Sequence, residues 1–250
     1  MKKFVIGNWK MNGDALEVHE YVHDLKNALE GMPCSVGVAV PSLYLPQLTA
    51  LLGRIPVSVV AQDVSQFKGS GAYTGEISAA MLRDAGCDYV LIGHSERRQY
   101  FDEDEMVLQQ KILCACDAGL TPIYCVGENL EQRLQCHYLQ VLDKQLEALE
   151  AVRGHLPDTV WVAYEPVWAI GTGKVADAGQ IAEVHAFLAA RLAEILPGRC
   201  HAHLLYGGSV KAANAREILA LPGVDGVLVG SASLTVAELS RIIAEAGAPV

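Results

Sequence analysis

The chain has 250 residues, 51% of them hydrophobic and 19% charged, with a formal net charge of −10 at pH 7. That is enough apolar sequence for one large core, and it argues against disorder; the acidic balance, with no long basic run, removes the electrostatic basis for a nucleic-acid or anionic-membrane partner. No apolar stretch approaches a membrane span, the short run after Met1-Lys2-Lys3 ends too soon at Gly7-Asn8-Trp9-Lys10 for a signal peptide, and seven scattered cysteines read as reduced, buried thiols of a cytoplasmic protein.

Eight short runs rich in β-branched and aromatic residues read as strands: 4–9, 35–40, 57–61, 88–92, 120–126, 159–164, 201–206 and 226–229. Between them, 16–29, 106–118, 130–152, 181–196 and 236–246 repeat apolar residues at helical spacing, which predicts helices. Asp177 with Gln180 and Thr235 with Glu238 have the capping-box spacing at two of the helix starts. Buried parallel strands joined by helices leave two topologies, an open doubly wound sheet or a closed barrel, and the count of eight favours the barrel. No low-complexity linker divides the chain, so residues 1–250 are expected to form a single α/β domain, a (β/α)8 barrel.

In either topology chemistry gathers at the C-terminal ends of the strands, where loops vary and helix N-termini point their amides outward. In chain order that rule selects Asn8-Trp9-Lys10, Gly93-His94-Ser95-Glu96, Glu165, Tyr206-Gly207-Gly208-Ser209 and Gly230-Ser231. The segment 163–174 is the most informative. Glu165 closes an apolar strand, Pro166 stiffens the exit, Val167-Trp168-Ala169-Ile170 forms an apolar tip, and Gly171 and Gly173 permit backbone conformations closed to other residues. That is the composition of a lid over a base. A carboxylate removes a proton α to a carbonyl only if the developing enediolate oxygen meets positioned donors or positive charge, which Lys10, His94 and Asn8 would supply. Backbone amides at Gly208-Ser209 and Gly230-Ser231, near helix N-termini, suit a phosphate dianion. The expected substrate is a small phosphorylated carbonyl compound.

The motifs Gly7-Asn-Trp-Lys-Met-Asn12, Gly93-His-Ser-Glu-Arg97, Ala163-Tyr-Glu-Pro-Val-Trp-Ala-Ile-Gly-Thr-Gly173, Tyr206-Gly-Gly-Ser209 and Leu228-Val-Gly230 together resemble triosephosphate isomerase, in the right order and over nearly the whole chain. The resemblance implies a TIM barrel, usually dimeric and without cofactor or metal, that interconverts dihydroxyacetone phosphate and D-glyceraldehyde 3-phosphate in glycolysis and gluconeogenesis. It implies that Glu165 carries the proton between C1 and C2, that His94 is the electrophile, that Lys10 stabilises the anionic substrate and enediolate, and that Asn8 helps orient them. Glu96 would be a supporting carboxylate near Lys10, and Gly171, Ser209, Gly230 and Ser231 would offer amides to the phosphate. Closure of residues 166–174 would exclude water. The polar, Gly-rich stretch 62–75 resembles the family's interface loop, with Thr74 approaching the partner's site in a homodimer. Ser231 departs from the pattern, which usually has a second glycine there; if the position needed a positive φ, serine would add strain of order 1 kcal/mol or more.

Several motifs compete and are set aside. His19-Glu20-Tyr21-Val22-His23 has the H-E-x-x-H spacing of a zinc helix but no third ligand, and His201 and His203 share a strand face at a strand start, where the barrel rule predicts stability rather than chemistry. Gly173-Lys174 lacks the rest of a P-loop, and Cys125 reads as core packing. A Schiff-base aldolase would need a lysine on a central strand, and none is there. The remaining alternative is a catalytically silent phosphate-binding barrel, which would be expected to have lost Glu165, His94 or Lys10.

Overall fold

The β-branched runs pair as parallel strands because each is followed by a helix that returns the chain to the same end. The computed structural model describes residues 2–29, 34–171 and 174–247. Its strands are β1 (Phe4–Asn8), β2 (Ser35–Val40), β3 (Val57–Ala61), β4 (Tyr89–Ile92), β5 (Thr121–Val126), β6 (Thr159–Tyr164), β7 (His201–Tyr206) and β8 (Gly226–Val229). They close a barrel in sequence order, with β8 returning to β1 through Phe4↔Gly226 and Gly7↔Val229. Around it run α1 (Ala15–Ala28), α2 (Leu45–Leu52), α3 (Ala79–Asp84), α4 (Ser95–Tyr100), α5 (Glu105–Asp117), α6 (Leu130–Leu134), α7 (Tyr138–Ala151), α8 (Ala178–Ile195), α9 (Ala212–Ala220) and α10 (Val236–Glu245).

Two cores follow from the period of two along each strand. Outward residues such as Val5, Val36, Val38, Val90 and Val162 join the apolar faces of the helices. Inward residues, among them Phe4, Ile6, Leu91, Ile123, Cys125, Trp161, Ala163, Leu205 and Leu228, fill the barrel itself.

The helix that the spacing predicts over 130–152 is two helices, separated by a turn in which Cys136 takes φ 59°. The Asp177–Gln180 capping box forms, whereas at α10 the Thr235 side chain makes no cap hydrogen bond and the Glu238 carboxylate accepts the Ala212 amide at 3.2 Å instead. Unforeseen capping boxes open α1, through Asp14 and Glu17, and α6, through Asn129 and Gln132. All seven cysteines are free thiols, but Cys136 is exposed and Cys116 half-buried, so burial holds for five of them.

Candidate active site

Following the inward stripes of seven of the eight strands one step past the last packed layer gives the residues at the barrel mouth. Ile6 leads to Asn8, Val60 to Gln62, Leu91 to Gly93, Cys125 to Gly127, Ala163 to Glu165, Leu205 to Gly207 and Leu228 to Gly230. Four of these positions are glycine. The barrel is filled below and emptied at this level, so a small ligand has room exactly where polar side chains point inward.

A cavity of about 240 Å³ occupies that space, and its wall contains Asn8, Lys10, His94, Glu165, Gly171, Ser209, Gly230 and Ser231. These are the predicted site residues apart from Glu96, which lies on the other side of Lys10. Asn8, His94 and Glu165 are 5%, 6% and 2% exposed, a degree of burial that polar groups tolerate only when they are partnered.

Glu165 is held from several sides. One carboxylate oxygen accepts the Ser95 amide at 2.9 Å, at the start of α4, and the other lies 3.1 Å from His94 Nε2. Its backbone amide donates to Val126 at 2.7 Å, continuing the β5–β6 ladder beyond the strand ends. Any side chain at Gly127 would run into the Glu165 carbonyl, 1.8 Å from the place a Cβ would take, so only glycine allows the two strand ends this approach.

His94 Nδ1 accepts the Glu96 amide at 3.2 Å. An unprotonated Nδ1 places the ring proton on Nε2, the nitrogen that faces Glu165 and the cavity. Lys10 is one of three non-glycine residues with positive φ among those described, at 54°. Such a conformation costs about 1–3 kcal/mol and persists only where its surroundings over-determine it. Here the Lys10 amide donates to Asn8 Oδ1 at 3.0 Å, Gln62 Nε2 donates to the Lys10 carbonyl at 3.0 Å, and Lys10 Nζ reaches Glu96 at 2.6 Å. Gln62 also donates to Ala39 at 2.9 Å, so one side chain ties the ends of β1, β2 and β3. The motif-based reading places Gln62 only at the start of a loop; the inward period of β3 is the signal that marks it.

Ser209 Oγ donates to the Ala169 carbonyl at 2.7 Å and so joins the loop after β7 to the segment after β6. In that segment Val167–Ala169 forms a single 3₁₀ turn, Ala169 is buried, and Trp168 donates to the buried Glu128 at 2.8 Å. Thr172 and Gly173, part of the expected lid, lie outside the described residues. Ser231 opens the 3₁₀ turn Ser231–Ser233 without a positive φ, so the feared backbone strain is absent there. Burial pushes the Cys125 thiol well above its ordinary range, and the nearby Glu165 carboxylate adds to the effect, which leaves no thiolate for nucleophilic chemistry.

A carboxylate, an imidazole N–H and an ammonium thus face one small cavity whose wall also includes glycines and serines of the loops after β7 and β8. A family model described as triosephosphate isomerase matches residues 3–246. The chain belongs to the triosephosphate isomerase family. It is 49% identical to the triosephosphate isomerase of Delftia acidovorans over 246 residues, covering 98% of this chain and 99% of that one. The triosephosphate isomerase of Thiobacillus denitrificans is 48% identical over 245 residues, covering 96% and 97%. The crystal structure of triosephosphate isomerase from Bartonella henselae superposes with a TM-score of 0.86 at 35% identity, covering 98% of this chain and 99% of that one. Family membership supports the isomerase reading over the silent phosphate-binding alternative.

Proposed function

We propose a division of labour for the isomerisation of dihydroxyacetone phosphate and D-glyceraldehyde 3-phosphate, with residues 1–250 acting as one unit. Glu165 takes the proton from one substrate carbon and returns it to the next. His94 offers its Nε2 proton to the oxygen that becomes negative, and Lys10 supplies positive charge to the same region and to the phosphate. Asn8 orients both the substrate and the Lys10 backbone. The amides of Gly171, Ser209, Gly230 and Ser231 hold the phosphate, and Glu96 holds Lys10 before substrate arrives. The observation that carries this reading is the approach of His94 Nε2 to Glu165, 3.1 Å, inside the cavity that Lys10 also lines. Donors already aimed where charge develops need no reorganisation during the reaction.

The partner reading rests on the other side of Lys10. A second cavity, lined by Met11, Ile77, Glu96 and Phe101, shares Asn8, Lys10 and His94 with the first. Its rim carries Met11 at 95% exposure and Phe101 at 63%, large apolar groups that a second copy of the chain would cover. Thr74, on the exposed stretch of the 62–75 loop, would enter this cavity from the other copy, completing a homodimer. No helix among the described residues is long and apolar enough to cross a membrane, and the proposed compartment is the cytoplasm.

The test is a coupled assay of glyceraldehyde 3-phosphate isomerisation for the wild type and Glu165→Gln. Turnover is expected to fall by about 10²–10⁴ in the variant, with inhibition by inorganic phosphate unchanged, because the base acts in the chemical step and the amides do not. Equal loss of turnover and phosphate binding would refute the separation of roles.

A further inference from the structure

The mouth of the barrel is braced by a chain of hydrogen bonds in which none of the three side chains lines the catalytic cavity. Arg98, on α4, donates from Nε to the carbonyl of Gly93 at 2.9 Å, the residue immediately before His94. Its Nη2 donates to the Tyr124 hydroxyl at 2.9 Å and to the Cys125 carbonyl at 3.2 Å, and its Nη1 pairs with Glu105 at 3.0 Å. Tyr124, on β5 and fully buried, passes the link on by donating to the backbone carbonyl of Gln145 at 2.7 Å. Burial pushes its phenol up to about 12, so the hydroxyl keeps the proton this link requires. Gln145, on α7, then grips Gly127 by both backbone groups: Gly127 N–H donates to its Oε1 at 2.8 Å, and its Nε2 donates to the Gly127 carbonyl at 3.0 Å. Gly127 is the residue whose backbone lies against Glu165.

The chain therefore begins one residue from the imidazole and ends against the backbone of the carboxylate. We propose that Arg98, Tyr124 and Gln145 are positioning residues that fix the separation of His94 and Glu165 by tying the end of β4 to the end of β5 and, through Gly127, to the backbone of Glu165. The alternative, packing alone, does not require this pattern. A helix needs no side-chain amide hydrogen-bonded at both ends to a glycine of a neighbouring loop, and a core tyrosine needs only one partner for its hydroxyl, whereas Tyr124 has two facing different elements. Buried networks of this kind hold one geometry because breaking any member leaves unsatisfied groups behind. The chemistry is sensitive to that geometry, since a displacement of about 1 Å at a reacting pair costs on the order of 100-fold in rate.

This inference rests on the role proposed for Glu165, and the experiment keeps the two apart. Wild type, Glu165→Gln, Tyr124→Phe and Gln145→Leu are compared for kcat, KM, inhibition by inorganic phosphate, and the isotope effect on kcat with glyceraldehyde 3-phosphate deuterated at C2. Gln145→Leu is expected to lower kcat by about 10- to 100-fold and Tyr124→Phe by roughly 3- to 10-fold, with KM and phosphate inhibition within about twofold of wild type. The isotope effect rises in both, because proton transfer becomes the slow step. Loss of stability alone would move neither the isotope effect nor the kcat-to-KM split. Tyr124→Phe keeps the ring and decides the matter if Gln145→Leu does not fold. Wild-type kcat in a folded Tyr124→Phe variant, or a parallel loss of kcat and phosphate binding, overturns the positioning role while leaving Glu165 as the base. Full activity in Glu165→Gln would overturn the reading beneath it.

Discussion

The two ends of the barrel are built on the same inward stripes and finished in opposite ways. At the N-terminal end the stripes begin with rings: Phe4 lies 5.0 Å from Trp161 and 5.2 Å from Tyr89, and Trp161 lies 4.7 Å from His203, centroid to centroid. At the C-terminal end the same stripes finish in Asn8, Gln62, Glu165 and four glycines. Rings fill the closed end, while missing side chains leave space at the open end for a ligand and for backbone to approach backbone. Stability and chemistry are thereby separated along one axis, which makes the separation open to attack from either end.

The largest effect is expected at the closed end. Trp161→Ala removes a side chain that is 6% exposed and packed against Phe4 and His203, and it should cost about 3–5 kcal/mol of stability, read as a lower urea midpoint. KM should not change in the protein that remains folded; a changed KM would mean that the two ends are coupled. At the open end Gly127→Ala places a methyl group where the Glu165 carbonyl already sits. Turnover should fall by about 100-fold, equivalent to about 2.7 kcal/mol, with phosphate inhibition retained. Wild-type turnover in Gly127→Ala would show that Glu165 is not held from beneath.

How much of this was legible in the sequence depends on what kind of signal carried it. The strands were, to within a residue at their ends, because buried parallel strands are dense in valine and isoleucine. The strand-end rule then picked out Asn8, Lys10, His94 and Glu165, which the cavity brings together. Four helices were not foreseen. Ser95–Tyr100 buries no residue and so has no apolar stripe to read, Ala79–Asp84 is too short to show a period, Leu45–Leu52 is apolar on most sides, and Ala212–Ala220 is rich in alanine. The break at Cys136 hid because cysteine is no turn signal. Arg98, Tyr124 and Gln145 escaped for a further reason: they act on backbone carbonyls and amides brought close by strand register, and no local motif encodes that proximity, whereas Gln62 is marked only by the inward period of β3.

Between the two ends, α8 buries His185 behind the sheet, with Nδ1 2.9 Å from the Gly223 carbonyl and its ring edge-on to Tyr164. Burial lowers its pKa, against the pull of Gly223 and Asp225. The unfolded chain therefore binds this proton at a higher pH than the native one does. Stability from His185 is full above about pH 6.5 and is lost as pH falls from there through the folded pKa, with a slope of at most about 1.4 kcal/mol per pH unit. The difference in urea midpoint between wild type and His185→Gln should change between about pH 8 and pH 5.5, with the wild type losing more. Parallel pH profiles would place the acid sensitivity elsewhere, and a change in KM across the series would tie α8 to the mouth.

The smallest effect is expected at Ser231, where the family resemblance read from the motifs implies a second glycine. Ser231 is the first residue of a 3₁₀ turn and lines the cavity at the proposed phosphate site. Glycine is required only where φ is positive or where a Cβ would collide. Ser231 is not among the positive-φ residues, and its exposed side chain sits at the rim. The contribution proposed for it in the phosphate site is the backbone amide, which serine and glycine would supply alike. Ser231→Gly should therefore leave kcat and the inhibition constant for inorganic phosphate within about twofold of wild type, a difference of roughly 0.4 kcal/mol. A much tighter phosphate site in the glycine variant would mean that the serine side chain intrudes on the anion. A much weaker one would mean that its hydroxyl is a ligand. In either case the open end would owe its anion specificity to a side chain as well as to the backbone that glycine leaves bare.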